Sequence, residues 1–136
     1  MNNIGVICAL TTFLNVWFGH VAVRYVEARA VSIRLPAAVF AAAGLILIRT
    51  ALLTTSPAGA AVLGITGMVI LWDAMEFFRQ ERRVMQGHAP ANPRNERHRQ
   101  ILAEYPLASS VEWLKREPLG RKLTADELQA LRESGQ

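Results

Sequence analysis

The sequence predicts an all-α integral membrane protein: a bundle of three transmembrane helices, N-terminus outside and C-terminus inside, followed by a cytoplasmic tail of short helices. Three observations predict it. Charge is crowded at one end, since of 15 Lys plus Arg and 11 Asp plus Glu only Arg24, Glu27, Arg29, Arg34, Arg49, Asp73 and Glu76 precede Arg79. Three long apolar runs fill that charge-poor part. The arginines that flank the runs sit on one side only. A mean hydropathy of +0.19 averages an apolar front and a polar tail, so whole-chain composition hides the class.

The first run, residues 4–23, is interrupted only by Thr11, Thr12, Asn15 and His20. At ~1.5 Å rise, about 20 helical residues cross the ~30 Å hydrocarbon core, and residues 35–53 and 58–78 meet the same requirement. Met1, Asn2 and Asn3 carry no charge ahead of the first run, whereas a secretory signal begins with a positive segment, so the run is read as a retained span. Pro36 stands in the first turn of the second span, where a proline forfeits no helical hydrogen bond. The uncharged connector 54–57 makes spans two and three a hairpin. Three arginines lie in the loop 24–34, and Arg79, Arg82 and Arg83 follow the third span directly, which sets the orientation.

The third helix is expected to run on to about residue 86, with Gly87 as its C′ residue. Residues 1–87 then form the membrane domain and 88–136 the tail. A turn-rich break with Pro90 and Pro93 opens the tail. Three helices are expected beyond it: 94–104; 110–117, with Ser109 and Glu112 spaced as a capping box; and 125–133, with Thr124 and Glu127 likewise. Each is too short to be stable alone in water, and the tail is read as too poor in apolar surface for a core of its own. Trp113, Leu114, Leu123, Leu128 and Leu131 are therefore the candidate side chains for docking on a partner.

Leu71, Trp72, Glu76, Gln80, Arg83, Val84, Gly87, Pro90, Asn92 and Pro93, with Thr12, Phe13, Leu14, His20 and Glu27 upstream, resemble the signature of an uncharacterised family of small bacterial membrane proteins. The resemblance covers about Met1 to Pro93. Val21 stands where a proline often follows the histidine, and Asp73 where a small or neutral residue is expected. What the resemblance implies is a bacterial membrane protein, with no activity attached.

Ionisable groups inside a span are costly and default to functional suspects. His20, Arg24, Asp73 and Glu76 fall near one depth at the inner ends of their spans, forming a candidate polar cluster. Val69, Asp73, Glu76, Gln80 and Arg83 share one face of the third helix at 100° per residue. A proton or ion relay through His20, Asp73 and Glu76 competes with plain interhelical pairing to Arg24 or Arg34, and pairing is the preferred reading. His20, His88 and His98 show no metal-ligand spacing, a haem would need a second axial ligand from elsewhere, and Cys8 is alone, so no metal or cofactor is implied. No phosphate loop, nucleophile elbow or carboxylate pair marks an enzyme.

Ala60, Gly64, Gly67 and Met68 on the third span, and Ala37, Ala38, Ala41, Ala42 and Ala43 on the second, make small-residue faces that let helices pack closely. Between Arg79 and Arg99 six arginines face Glu81 and Glu96. Arg79, Arg82 and Arg83 are candidate contacts to anionic lipid headgroups, while nucleic acid is not expected without interleaved aromatics. The preferred function is a non-catalytic accessory or assembly subunit of a larger complex of the bacterial inner membrane. A small homo-oligomeric transporter or ion-translocating protein using His20, Asp73 and Glu76 is the alternative.

Overall fold

The computed structural model describes residues 3–116 and 120–134. In chain order it holds α1 (Ile4–Glu27), α2 (Arg34–Leu53), α3 (Pro57–Met85), α4 (Glu96–Glu104), a 3₁₀ turn (Trp113–Lys115) and α5 (Ala125–Glu133). Among the described residues every regular element is helical. α1, α2 and α3 are each long and apolar enough to cross a membrane. The chain folds into two compact units, one of residues 1–26 and 32–78, the other of residues 27–31 and 79–136.

In the first unit the hairpin of α2 and α3 turns on Thr54 to Ser56 alone. Ser56 caps α3, its hydroxyl accepting from the Gly59 amide at 3.3 Å, and Pro57 takes the first helical position, where no amide is missed. The two helices meet at Gly44 and Gly67. A Cβ on Gly67 would stand 2.8 Å from the Gly44 carbonyl oxygen, and one on Gly44 would stand 2.7 Å from the Gly67 carbonyl oxygen. The small-residue face of α3 thus works through Gly67. On α2 the closest approach is at Gly44, next to the alanine run, because only a missing Cβ admits backbone to backbone. Val23, Ile33, Ala37 and Phe77 form a buried cluster, with Phe40 edge-on to Phe77 at 5.1 Å between ring centroids. Asn15 donates to Thr66 Oγ1 at 3.1 Å, a polar tie between α1 and α3. Outward faces are strongly apolar, Phe13 being 68% and Leu52 82% exposed, as suits helices surrounded by lipid.

In the second unit α3 ends on a Schellman motif. The Gly87 amide donates to Val84 O at 3.1 Å and the His88 amide to Arg83 O at 2.8 Å, with Gly87 at φ +71°. The apolar side chains of the tail pack on the end of α3. Val84, Ala89, Ala91, Ile101 and Ala108 are buried together, with Met85 and Leu102 against them. Leu128 is also buried. Small side chains on the turns let few large ones suffice.

Arg116 is the second organiser of this unit. Only 1% exposed, it donates to Gly87 O at 2.7 Å, Arg121 O at 3.0 Å and Val111 O at 3.2 and 3.3 Å. Burial pushes its guanidinium down from the ordinary value, and the neighbouring Arg121 charge adds to that. Its hold on Val111 O explains why the helix expected over 110–117 is only a 3₁₀ turn within the described residues. That carbonyl is the one an α-helix would give to the Lys115 amide, which bonds to Glu112 O at 3.0 Å instead. Ser109 accordingly accepts from the Val111 amide at 3.1 Å, a local turn in place of a helix cap. The other two expected helices form. Thr124 and Glu127 make the full capping box on α5. Arg121 bonds the same carboxylate, and with the Thr124 amide it holds Glu127 well below the usual range, at about 2.

Candidate functional site

The most elaborate polar construction lies in the second unit, around the loop that follows α1. A helix leaves its last carbonyls without partners, and its C-terminal end favours a cation. α1 ends at Glu27, and a single residue of α4, Arg97, meets both needs. Its Nη2 donates to Glu27 O at 2.5 Å and to Glu27 Oε1 at 2.9 Å, its Nε to Ala30 O at 3.3 Å, and its Nη1 to Glu81 Oε1 at 2.5 Å. One guanidinium therefore ties the end of α1, its loop and α3.

The asparagines of the turn before α4 also hold loop carbonyls. Asn92 Nδ2 donates to Ala28 O at 2.8 Å, and Asn95 Nδ2 donates to Ala30 O at 3.0 Å and Ala28 O at 3.3 Å. Asn95 is also the N-cap of α4, accepting from the Arg97 amide at 2.9 Å. It thus fixes the backbone of the residue whose side chain does the gripping.

His98 completes the clamp, and its bonds define its tautomer. Nδ1 accepts from the Asn92 amide at 2.8 Å, so the proton sits on Nε2, which donates to Glu27 Oε1 at 2.8 Å. Arg97 Nη2 lies 3.0 Å from the same Nε2, and since both carry hydrogen this is contact, not a bond. Glu27 is 1% and His98 0% exposed. Both ring nitrogens are occupied by structural bonds. The arrangement's chemistry is fixation: the end of α1 with its loop, the stretch of α3 at Glu81, and α4 are locked by charge-assisted bonds.

Among the sequence-derived candidates, His20, Asp73 and Glu76 lie in the first unit. Asp73 and Glu76 are buried and His20 is exposed. The Asp73 carboxylate packs against α1 at Gly19, where an added Cβ would collide with it. Arg24 is exposed, and no hydrogen bond or ion pair joins it to the other three among the described residues. Arg79, Arg82 and Arg83 are exposed on α3. Of the docking candidates Leu114 is 79% exposed, Leu123 and Leu131 are half-buried, and Leu128 is spent inside the unit. The Trp113 side chain lies outside the described residues. Among those residues no three His, Cys, Asp or Glu side chains converge where a metal could sit.

Sequence reasoning missed the clamp. Glu27 and Asn92 belong to the family-like signature, and that was the available signal; Arg97 and His98 lie beyond it. No curated protein and no solved structure matches the chain. The match that exists covers residues 2–95 and so takes in all three spans, the α1–α2 loop and the asparagines that grip it. On that match the chain belongs to the family described as Domain of unknown function (DUF4491).

Proposed function

We propose that this protein is a non-catalytic accessory or assembly subunit of a larger complex in the bacterial inner membrane, its C-terminus in the cytoplasm. The observation that carries the reading is the clamp. The buried charges of the second unit are spent on one another and on main-chain carbonyls, which makes the tail a rigid platform and leaves none of these groups for a substrate. Leu114, held out on the 3₁₀ turn, with half-buried Leu123 and Leu131, is the apolar contact such a platform would offer. Arg79, Arg82 and Arg83 beside the last span favour the cytoplasmic side and contact with anionic headgroups.

A second reading rests on one observation: Asp73 and Glu76 are buried in the span-forming unit, which also holds His20. A homo-oligomer could use that trio to move protons or ions. Purification in mild detergent separates the two. The accessory reading expects stoichiometric partner proteins that are lost on Leu114→Asp and kept on Asp73→Ala. A lone homo-oligomer whose ion flux in vesicles disappears with Asp73→Ala would replace that reading with the second. A reporter fused after Gln136 should be active only in the cytoplasm and one inserted at Ser56 only outside; the opposite pattern would overturn the orientation.

A further inference from the structure

A cleft of about 460 Å³ opens beside the last turn of α3, lined by Arg82, Met85, Gln86, Tyr105, Pro106 and Leu107. We propose that this cleft seats the headgroup of an anionic membrane lipid, with the Arg82 guanidinium binding its phosphate and the Tyr105 ring and Leu107 side chain resting against its glycerol and upper acyl carbons. Resting on the headgroup contact proposed for Arg79, Arg82 and Arg83, the cleft narrows that contact to one built site.

Depth along α3 selects the ligand. The apolar run of this helix ends at Phe78, and Arg82 stands four residues on, about 6 Å further along the axis at ~1.5 Å per residue. A bilayer with a ~30 Å hydrocarbon core and about 40–45 Å of total thickness has headgroup layers of roughly 5–8 Å each. Arg82 therefore falls at the level of the lipid phosphates. Met68, Trp72, Met75 and Phe78 are between 44% and 59% exposed, and at 100° per residue they share an arc of about 120° with Arg82 near its middle. The side of α3 that meets acyl chains is thus the side on which Arg82 meets headgroups.

Charge and shape agree with depth. Arg82 is the one charged group of the lining, and no carboxylate faces it there. Its exposed side chain joins none of the ion pairs among the described residues. Of the neighbouring acids, Glu81 is held by Arg97 and Glu104 lies outside the lining. A guanidinium presents paired N–H donors whose spacing matches two phosphate oxygens. Tyr105 and Leu107, each 37% exposed, supply an amphipathic ring and an aliphatic chain, the pairing that suits a membrane–water boundary. This wall is built in advance. An added Cβ on Gly87 would collide with Leu107 O, so the missing side chain lets the loop close on the end of α3. The Tyr105 amide donates to Ile101 O at 2.9 Å, the Ala108 amide to Tyr105 O at 3.1 Å and Arg132 Nη2 to Pro106 O at 3.3 Å, so little ordering remains when a lipid arrives.

The test titrates the full-length protein in non-ionic detergent with short-chain phosphatidylglycerol, phosphatidylcholine or inorganic phosphate, read by calorimetry. Phosphatidylglycerol should bind best. Arg82→Gln should weaken it about fivefold, the equivalent of one basic residue at the membrane surface, and Leu107→Ser about threefold through lost apolar contact. Arg83→Gln removes the same charge at the next position, outside the cleft, and should leave binding within about twofold of the parent. Unchanged affinity in either cleft variant, or an equal loss in Arg83→Gln, would overturn the cleft while leaving the general headgroup attraction standing. Phosphatidylcholine binding as tightly as phosphatidylglycerol would overturn that attraction and the site with it. Inorganic phosphate binding as tightly as the lipid would overturn the lipid assignment.

Discussion

Removing the guanidinium of Arg97 tests whether the clamp holds the second unit together. In Arg97→Ala the Glu27 carboxylate stays buried with only His98 as donor, Glu81 loses its 2.5 Å partner, the Glu27 carbonyl loses its Arg97 donor, and the Ala30 carbonyl keeps only Asn95. Side-chain exposures of 14% for Arg97 and 1% for Glu27 place this pair among buried ones. Breaking such a pair from one side costs roughly 3–5 kcal/mol, because the charge left behind has no water to return to. Glu27→Gln removes that charge and keeps an acceptor for Arg97 and His98, so its cost should be smaller, about 1.5–3 kcal/mol. The ordering is the informative part: the cation deletion must exceed the carboxylate neutralisation. Hydrogen exchange of the Asn92 amide, which is bonded to His98 Nδ1, reads the clamp directly. Its protection should fall by about two to three and a half orders of magnitude in Arg97→Ala, each tenfold being ~1.4 kcal/mol. Thermal unfolding in detergent supplies the independent measure. A cost under about 0.5 kcal/mol, the range of an ordinary surface change, would refute the reasoning.

At the α2–α3 crossing, Gly67→Ala should destabilise by about 1–3 kcal/mol, since its Cβ meets backbone at 2.8 and 2.9 Å. Gly64→Ala one turn earlier, with its nearest neighbour at 3.9 Å, should be neutral or slightly stabilising, and equal effects in melting experiments would discount the crossing. Arg116→Met strips donors from the carbonyls of Gly87, Val111 and Arg121 and should cost about 3 kcal/mol, seen as proteolysis of the tail ahead of the spans; a resistant tail would show that water replaces the guanidinium. Glu127 is depressed in the folded chain to about 2 from 4.5, so its contribution is complete above 4.5 and disappears as pH falls from there through about 2. A carboxyl carbon titration by NMR with its midpoint near 4.5 would remove the capping role of Arg121 and Thr124.

The features legible in the sequence are those decided within about four residues. Gly87 ends α3 because a positive φ is cheap only there, and Thr124 with Glu127 closes a capping box without help from anything distant. The three spans belong to the same class, since length and apolarity alone admit a helix to lipid. Even so, α1 runs on to Glu27, past the apolar limit of 23, because Arg, Tyr and Glu propagate a helix as well as many apolar residues do. The failures are all long-range. Glu27 meets Arg97 and His98 across 70 and 71 residues, and periodicity says nothing about which distant charge a buried carboxylate will meet. Ser109 and Glu112 carry a sound capping signal, yet Arg116 draws off Val111 O and the helix it announces shrinks to three residues. The surface on which the tail packs escaped for the same reason: alanines 89, 91 and 108 read as turn filler until Val84 and Ile101 are brought against them. Arg116 and Arg97 thus do in this tail what large apolar side chains do in bigger domains. Each gathers main-chain carbonyls from segments far apart in sequence, and the small hydrophobic cluster closes around the backbone they have already drawn together.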